Sequence, residues 1–120
     1  MRRPHNVLVV DDNPINLEIL EELLAENDFA VHTALNADHA LKIATRHSPQ
    51  IILLDVMLPD IDGYDLCRQL RHLPQTENAR IIMVTAKAMP SEMATGYDAG
   101  ADAYITKPFD DSDLFEAMRT

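Results

Sequence analysis

The amino-acid sequence contains little cysteine, little glycine and no long apolar segment. A single cysteine among 120 residues excludes an internal disulfide and any zinc site built from several cysteines. The three glycines, Gly63, Gly96 and Gly100, form no glycine-rich phosphate loop. No segment approaches the ~20 apolar residues that a membrane-spanning helix needs, and the N-terminus lacks a secretion signal. We therefore expect a cytoplasmic protein without a membrane segment.

Basic residues are also scarce. The chain has 10 Lys and Arg against 20 Asp and Glu, which gives a formal net charge of -10. Affinity for nucleic acid comes largely from Lys and Arg that neutralise phosphates, so this balance argues against direct binding to nucleic acid. The length corresponds to one domain, and a hydrophobic content of 47% is ordinary for a globular protein. The composition leaves open what the many carboxylates do.

Short apolar segments alternate with helical periodicity along the whole chain. Three of these segments are apolar at nearly every position, which is typical of strands in a parallel sheet covered on both faces. Strict alternation of strand and helix predicts an α/β fold. Five strands favour a flavodoxin-like (βα)5 three-layer sandwich with a parallel sheet in the order 2-1-3-4-5. The predicted strands are residues 7–10, 29–33, 51–54, 81–84 and 103–106.

Each predicted helix has an apolar face at helical spacing. Pro14 is placed at the first helical position behind Asn13, a good N-cap. Helix caps are also expected at Ser91 and at Asp111 or Ser112. In chain order the predicted faces are Ile15, Ile19, Leu20, Leu23 and Leu24; Ala37, Ala40, Leu41 and Ala44; Leu66, Cys67 and Leu70; Met89, Met93 and Tyr97; and Leu114, Phe115 and Met118.

Chemically active side chains follow four of the five predicted strands. Parallel α/β sheets bind ligands at the carboxyl ends of their strands, near the switch point between the first and third. These ends would therefore bring carboxylates, a hydroxyl and an ammonium group to one edge of the sheet. The residues are Asp11 and Asp12 after the first strand, Asp55 after the third, Thr85 after the fourth and Lys107 after the fifth.

The charges of this group predict its chemistry. Two carboxylates about 4 Å apart repel each other by roughly 4 kcal/mol at an effective dielectric constant of about 20, so three carboxylates require a cation. Oxygen ligands without His or Cys favour Mg²⁺, and we expect Asp12 and Asp55 to bind it directly. A carboxylate can also attack phosphorus to form an acyl phosphate. Asp55 is the candidate, with Lys107 pairing with the phosphoryl oxygens and Thr85 donating a hydrogen bond to them.

Four segments resemble the receiver domain of bacterial two-component response regulators. They are VLVVDDNPINLEILEELL, IILLDVMLPDIDGYDLCRQLR, IIMVTAKAMP and GADAYITKPF. The resemblance implies that Asp55 takes a phosphoryl group from a phosphohistidine on a sensor histidine kinase or a histidine phosphotransfer protein. It also implies that Mg²⁺ is held by Asp12, Asp55 and the backbone carbonyl of Met57, with Asp11 acting partly through water.

The same resemblance implies a switch and an output surface. Thr85 and Tyr104 match the switch pair of the family, and Lys107–Pro108 matches its cis peptide bond. The face formed by the fourth helix, fifth strand and fifth helix would contact an output domain or effector, or form a phosphorylation-dependent homodimer. The protein would be a signalling receiver that catalyses its own phosphorylation and dephosphorylation, not a conventional enzyme.

Three alternatives fit the sequence less well. A flavin or dinucleotide carrier shares the fold, but its phosphate loop is replaced here by DDNPIN, whose two aspartates would repel the cofactor. A haloacid-dehalogenase-like phosphatase separates its two aspartates by one residue, whereas Asp11 and Asp12 are adjacent. A degenerate receiver used only for binding is disfavoured because every member of the site is present.

The remaining polar and sulfur-containing residues are predicted to have structural roles. Asp60, Asp62 and Gly63 are predicted to form a turn and a helix start rather than a calcium loop. Cys67 is predicted to be a small buried hydrophobe. Met83, Met89 and Met93 are predicted in the core or an interface. The histidines, predicted to lie on the surface, are His5, His32, His39, His47 and His72.

Two further expectations concern lifetime and domain organisation. In receivers the residues two positions after the phosphoacceptor and two after the Thr influence attack by water, and here they are Met57 and Lys87. Met57 cannot orient water by a strong hydrogen bond, so the phosphorylated form should persist for minutes or longer. Residues 1–120 are predicted to be one receiver domain. Its last helix, from Asp111 to Thr120, lacks a clear C-cap, which is compatible with a domain cut from a longer protein.

Overall fold

The structure is a computed structural model that describes residues 5–86 and 90–119, with the backbone alone at residues 90–92. Five strands alternate with five helices. In chain order they are β1 (Asn6–Val10), α1 (Pro14–Glu26), β2 (Ala30–Ala34), α2 (Ala37–His47), β3 (Ile51–Asp55), α3 (Gly63–His72), β4 (Arg80–Thr85), α4 (Pro90–Ala99), β5 (Ala103–Thr106) and α5 (Asp111–Met118).

The strands form one parallel sheet in the order β2-β1-β3-β4-β5, which confirms the predicted fold class and strand order. Helices α1 and α5 cover one face, and α2, α3 and α4 cover the other. Every residue of β3 is buried, because both faces of this central strand are covered. Because β1 and β3 are parallel neighbours, their carboxyl ends lie side by side, at the point where the strand order reverses.

Helix α1 begins as predicted but buries only part of the predicted face. The side chain of Asn13 accepts hydrogen bonds from the amides of Ile15 and Asn16, which confirms the cap, with Pro14 in the first turn. Ile15 and Ile19 are 66% and 58% exposed, so the predicted face was wrong in these two residues. Leu24 is buried as predicted, and Leu20 and Leu23 are packed beside it on the α1/α5 side of the sheet. Leu17, which is not in the predicted face, is buried on the same side.

The last two helices also depart from the prediction in detail. The N-cap of α5 is Asp110, whose Oδ1 accepts from the Asp113 amide, rather than Asp111 or Ser112. Helix α4 begins at Pro90, so Ser91 lies inside the helix rather than at its cap. Tyr97 is 46% exposed, and Met93 is half-buried. Met89, the third residue of that predicted face, lies outside the described residues.

The faces predicted for α2, α3 and α5 are confirmed. Ala37, Ala40 and Ala44 are buried with Leu41 packed against them, and Phe115 is packed beside the buried residues of α5. Small residues let α2 lie close to the sheet. The other buried residues of these faces are Leu66, Cys67, Leu70, Leu114 and Met118.

Arg71 connects the end of α3 to the turn that precedes β5. Its guanidinium donates to the carbonyls of Gly100 (2.8 Å), Glu77 (3.2 Å) and Ala79, and to the Asp102 carboxylate (2.6 Å). Gly100 has φ of +112°, and a Cβ there would lie 2.7 Å from the Arg71 side chain. This turn therefore needs glycine, and Arg71 fixes the strand that leads to the candidate site.

The sulfur-containing and histidine residues differ in how deeply they are buried. Cys67 and Met83 are fully buried, as predicted, and burial raises the pKa of the Cys67 thiol to about 11. His32 departs from the predicted surface position because it is half-buried and stacks on His47, with 4.0 Å between ring centroids. Burial, together with the nearby His47, lowers the pKa of His32. Within the described residues, no helix is both long and apolar enough to cross a membrane.

Candidate phosphoacceptor and metal site

Three carboxylates meet at the carboxyl edge of the sheet. Asp11 follows β1 and Asp55 ends β3, and both side chains are buried, whereas Asp12 is exposed. One oxygen atom of each carboxylate lies within 4.8 Å of the others. The sequence prediction that these three acids converge is thus matched by the geometry. At this spacing their charges repel one another, so the group favours a cation.

Lys107 supplies one positive charge to this group. Its Nζ atom lies 3.2 Å from Oδ2 of Asp11 and 3.4 Å from Oδ2 of Asp55. Burial opposes the charge on Lys107, but the carboxylates of Asp55 and Asp11 outweigh this effect and raise its pKa. The ammonium group is therefore fully charged at neutral pH and bridges the ends of β1 and β3.

The two buried carboxylates have different environments. Asp11 Oδ1 accepts from the Asn13 amide at 2.9 Å, and its Oδ2 accepts from the Asn16 side chain at 3.4 Å. Asp55 Oδ1 accepts from the Met57 amide at 2.9 Å. Burial raises the pKa of Asp55 despite this hydrogen bond and the Lys107 charge, and Asp11 adds to the rise. Asp55 is thus held in one orientation and solvated poorly.

Thr85 and Tyr104 lie on the neighbouring strands β4 and β5. Thr85 ends β4 with a buried side chain, and its carbonyl accepts from the Lys107 amide at 2.7 Å. The Tyr104 hydroxyl donates to the Tyr64 hydroxyl on α3 at 2.9 Å. Its ring lies against Gly96, where a Cβ would be 2.4 Å from the Tyr104 ring. The absence of a side chain at position 96 makes room for this ring position.

The backbone around the site is closely packed. The Lys107–Pro108 peptide bond is cis. Gly63 lies so close to the end of β3 that a Cβ there would be 2.6 Å from the Asp55 carbonyl oxygen. Asp62 caps α3 by accepting from the Tyr64 amide at 2.8 Å, as predicted for a helix start. Met57 and Asp62 form an isolated antiparallel bridge, which closes the loop between β3 and α3.

The donor set fits a hard divalent cation. Three carboxylates contribute only oxygen ligands, and the exposed Asp12 leaves one side of the cluster open. An all-oxygen set with open positions suits Mg²⁺. Because Asp11 is already bonded to Asn13, Asn16 and Lys107, its oxygens are less free than those of Asp12.

Several contact residues were not predicted from the sequence. The Asn16 side chain donates a hydrogen bond to Asp11, and the Tyr64 hydroxyl accepts one from Tyr104. The Asp60 carboxylate accepts a hydrogen bond from the Ala37 amide at the start of α2. Asn16 lies one turn beyond the Asn13 cap, which is the sequence signal that could have placed it near Asp11. The other two contacts join separate elements, so no local pattern indicates them.

Fold and site together define an α/β protein with an acidic cluster and a lysine at the switch point of its parallel sheet. Residues 7–119 match the model of the response regulator receiver domain. The chain belongs to this family, whose members are signalling domains rather than conventional enzymes. Membership removes the flavin carrier and the phosphatase as alternatives.

Relatives and solved structures agree with this assignment. The response regulator PleD of Caulobacter vibrioides is 40% identical over 95% of this chain, which covers 25% of PleD. A Burkholderia pseudomallei response regulator with a phosphorylated aspartic acid, calcium ion and citrate has a TM-score of 0.90 at 31% identity, covering 97% of this chain and 67% of that chain. The receiver domain of a Pseudomonas aeruginosa sensor histidine kinase, with magnesium in its active-site cleft, has a TM-score of 0.87 at 30% identity, covering 96% and 94%.

The chain spans a quarter to about half of the length of the curated relatives it matches, from 25% to 52%.

Proposed function

We propose that Asp55 is the residue that accepts the phosphoryl group in this receiver domain, and that Asp11, Asp12, Asp55 and the backbone carbonyl of Met57 hold Mg²⁺. The observation that carries the proposal is the position of Lys107 between Asp11 and Asp55 at the switch point of the sheet. The Burkholderia relative with a phosphorylated aspartic acid and the Pseudomonas relative with magnesium support it by analogy.

In the proposed reaction a carboxylate oxygen of Asp55 attacks the phosphorus atom of a phosphohistidine. A P–O bond forms as the P–N bond breaks, and the imidazole leaves with the electron pair and takes a proton from solvent. Lys107 moves from the carboxylates to pair with the phosphoryl oxygens, and the Thr85 hydroxyl donates a hydrogen bond to them. The bound Mg²⁺ would neutralise charge that develops on the phosphoryl oxygens.

The domain would thereby catalyse its own phosphorylation, and with water as nucleophile its dephosphorylation. The Thr85 hydroxyl would move toward the new phosphoryl group. The Tyr104 ring would turn inward as the second member of the switch pair. In this proposal the phosphoryl group is the signal, and the positions of Thr85 and Tyr104 are its readout.

The partners follow from this chemistry. In this proposal the physiological donor is a sensor histidine kinase or a histidine phosphotransfer protein, which carries the phosphoryl group on an imidazole. The face of α4, β5 and α5 would contact an output domain or effector, or a second copy after phosphorylation. We place this system in the cytoplasm, without direct nucleic-acid binding, and treat residues 1–120 as one receiver domain.

Acetyl phosphate labelling with Mg²⁺ tests the proposal. The wild-type protein should gain one phosphoryl group that is stable to acid and removed by hydroxylamine, as an acyl phosphate is. Asp55→Asn should abolish labelling. Glu22→Gln, an exposed residue of α1 with the same loss of charge, should label normally. An adduct that survives Asp55→Asn, or no adduct in the wild type, would reject the proposal.

A further inference from the structure

Asp60 links the loop after β3 to the start of another helix. This loop comprises residues 56–62 and is called here the β3–α3 loop. Asp60 Oδ1 accepts from the Ala37 amide at 3.0 Å, and Oδ2 accepts from the Asp38 amide at 3.1 Å. Oδ1 also accepts from the Ile61 amide of its own loop at 3.1 Å. One carboxylate thus joins the loop to the first two amides of α2.

The two ends of this contact lead to opposite sides of the candidate site. Within the β3–α3 loop, Met57 pairs with Asp62 and donates its amide to Asp55. Just before α2, the carbonyl of Ala34 accepts from the Asp11 amide at 3.1 Å. Asp60 therefore closes a continuous path of backbone and hydrogen bonds from the acid pair after β1 to the acid at the end of β3.

A second residue caps the same helix through a different amide. The Asn36 side chain accepts from the His39 amide at 2.8 Å. Together Asn36 and Asp60 satisfy the amides of Ala37, Asp38 and His39, which have no partner inside the helix. Both residues stabilise the start of α2, but only Asp60 belongs to the segment that carries Met57. The role of Asp60 in the site can therefore be separated from simple capping.

We infer that Asp60 is a positioning residue for the metal site: by fixing the β3–α3 loop to α2, it sets the position of the Met57 carbonyl relative to Asp11 and Asp12. This inference rests on the proposed function, in which that carbonyl is a metal ligand. Residues that orient ligands contribute to metal affinity without touching the metal. The hydrogen bonds from Ala37 and Asp38 also hold the pKa of Asp60 below its ordinary value, so the carboxylate is charged at neutral pH.

The test compares Asp60→Ala with Asn36→Ala. Each removes side-chain acceptors at the start of α2, so each should lower the free energy of unfolding. Calorimetric titration with Mg²⁺ should then distinguish the two variants by their Kd for the metal. Asp60→Ala should raise the Kd about tenfold, the low end of the range for residues that orient metal ligands, whereas Asn36→Ala should leave it within about twofold. Asp60→Asn, which keeps one acceptor oxygen, should give an intermediate Kd.

Amide exchange in the metal-free protein provides the second measurement. The Met57 amide should exchange faster in Asp60→Ala than in Asn36→Ala or the wild type, because its loop has lost its attachment. Equal exchange rates at Met57 in the two alanine variants would overturn the inference, and so would equal Kd values for Mg²⁺. Absence of Mg²⁺ binding to the wild type would reject the proposed metal site instead, while the exchange measurement would still decide the role of Asp60.

Discussion

Asp55 combines burial with negative charge, and this has a measurable cost for the fold. Its folded-state pKa is raised above 3.8, chiefly by burial. The protonated form therefore favours the folded state at low pH, and this contribution is lost as the pH rises through the folded-state pKa. At neutral pH and without metal, the ionised Asp55 lowers the stability of the protein.

Asp55→Asn should consequently stabilise the metal-free protein at neutral pH. We expect an increase in the free energy of unfolding, measured by urea denaturation with a chelator present. The gain should shrink towards zero near the acid end of the titration, where wild-type Asp55 is also neutral. Glu22→Gln should show no such pH-dependent gain. A loss of stability in Asp55→Asn at neutral pH would contradict the account.

The side chain at position 57 should influence how fast the phosphorylated form decays. The Met57 side chain is 76% exposed beside Asp55 and offers no strong hydrogen bond to water. The phosphorylated form should therefore decay with a half-life of minutes or longer once acetyl phosphate is removed. Met57→Gln, which can orient a water molecule, should shorten that half-life severalfold. A wild-type half-life of a few seconds with Mg²⁺ present would refute the prediction. Lys87, the other residue of this pair, lies outside the described residues.

The acidic residues of the site could be predicted from the sequence, but the contacts that orient them could not. Asp11, Asp12, Asp55 and Lys107 follow strands, and the carboxyl ends of parallel strands share one edge of the sheet. Asp60 was predicted only as a turn residue. Its bonds to Ala37 and Asp38 join segments more than 20 positions apart, so they depend on how α2 and the β3–α3 loop pack.

At the element scale, the contact of Tyr64 with Tyr104 couples α3 to β5. A hydrogen bond of this kind contributes about 1 kcal/mol, and a double-mutant cycle of Tyr64→Phe and Tyr104→Phe should recover a coupling of that size in the free energy of unfolding. Tyr97→Phe is the matched control, because Tyr97 meets the Tyr104 ring edge-on at 5.6 Å between centroids. Coupling of Tyr104→Phe to Tyr97→Phe that equals its coupling to Tyr64→Phe would contradict a specific hydrogen bond.

The helices show where sequence periodicity is sufficient and where it is not. Helix α2 has small apolar residues on a single face, so Ala37, Ala40 and Ala44 were identified correctly. Helix α1 has apolar residues on more than one side, and both Ile19 and Leu17 lie at helical spacing from other apolar positions. Only packing against the sheet decides between them, and it buries Leu17.

At the scale of the whole molecule, the acidic cluster predicts that Mg²⁺ stabilises the fold. A ligand that binds only the folded state at 100 times its Kd adds about 2.7 kcal/mol to the free energy of unfolding. Wild-type protein should show this gain, measured as urea unfolding with and without Mg²⁺. Asp12→Asn should show a smaller gain at the same Mg²⁺ concentration, and Glu22→Gln the full one. An equal gain in Asp12→Asn and the wild type would show that the cation binds elsewhere.

The overall topology could be predicted because alternating strands and helices leave few arrangements for a parallel sheet. Right-handed crossovers and five strands led to the observed order β2-β1-β3-β4-β5. The boundaries shifted by a residue or two, as in β2, which spans Ala30–Ala34 rather than residues 29–33. Such shifts arise from pairing between strands, which the local pattern does not contain.

The most direct test of the central claim locates the phosphoryl group itself. The protein is phosphorylated with acetyl phosphate and Mg²⁺ and then reduced with borohydride, which converts an aspartyl phosphate to homoserine. Peptide mass spectrometry then identifies the modified position. Homoserine at position 55, absent when Mg²⁺ is chelated, is the predicted result. Homoserine at position 11 or 12, or none in a protein that has taken up phosphoryl groups, would contradict the assignment of Asp55 as the phosphoacceptor.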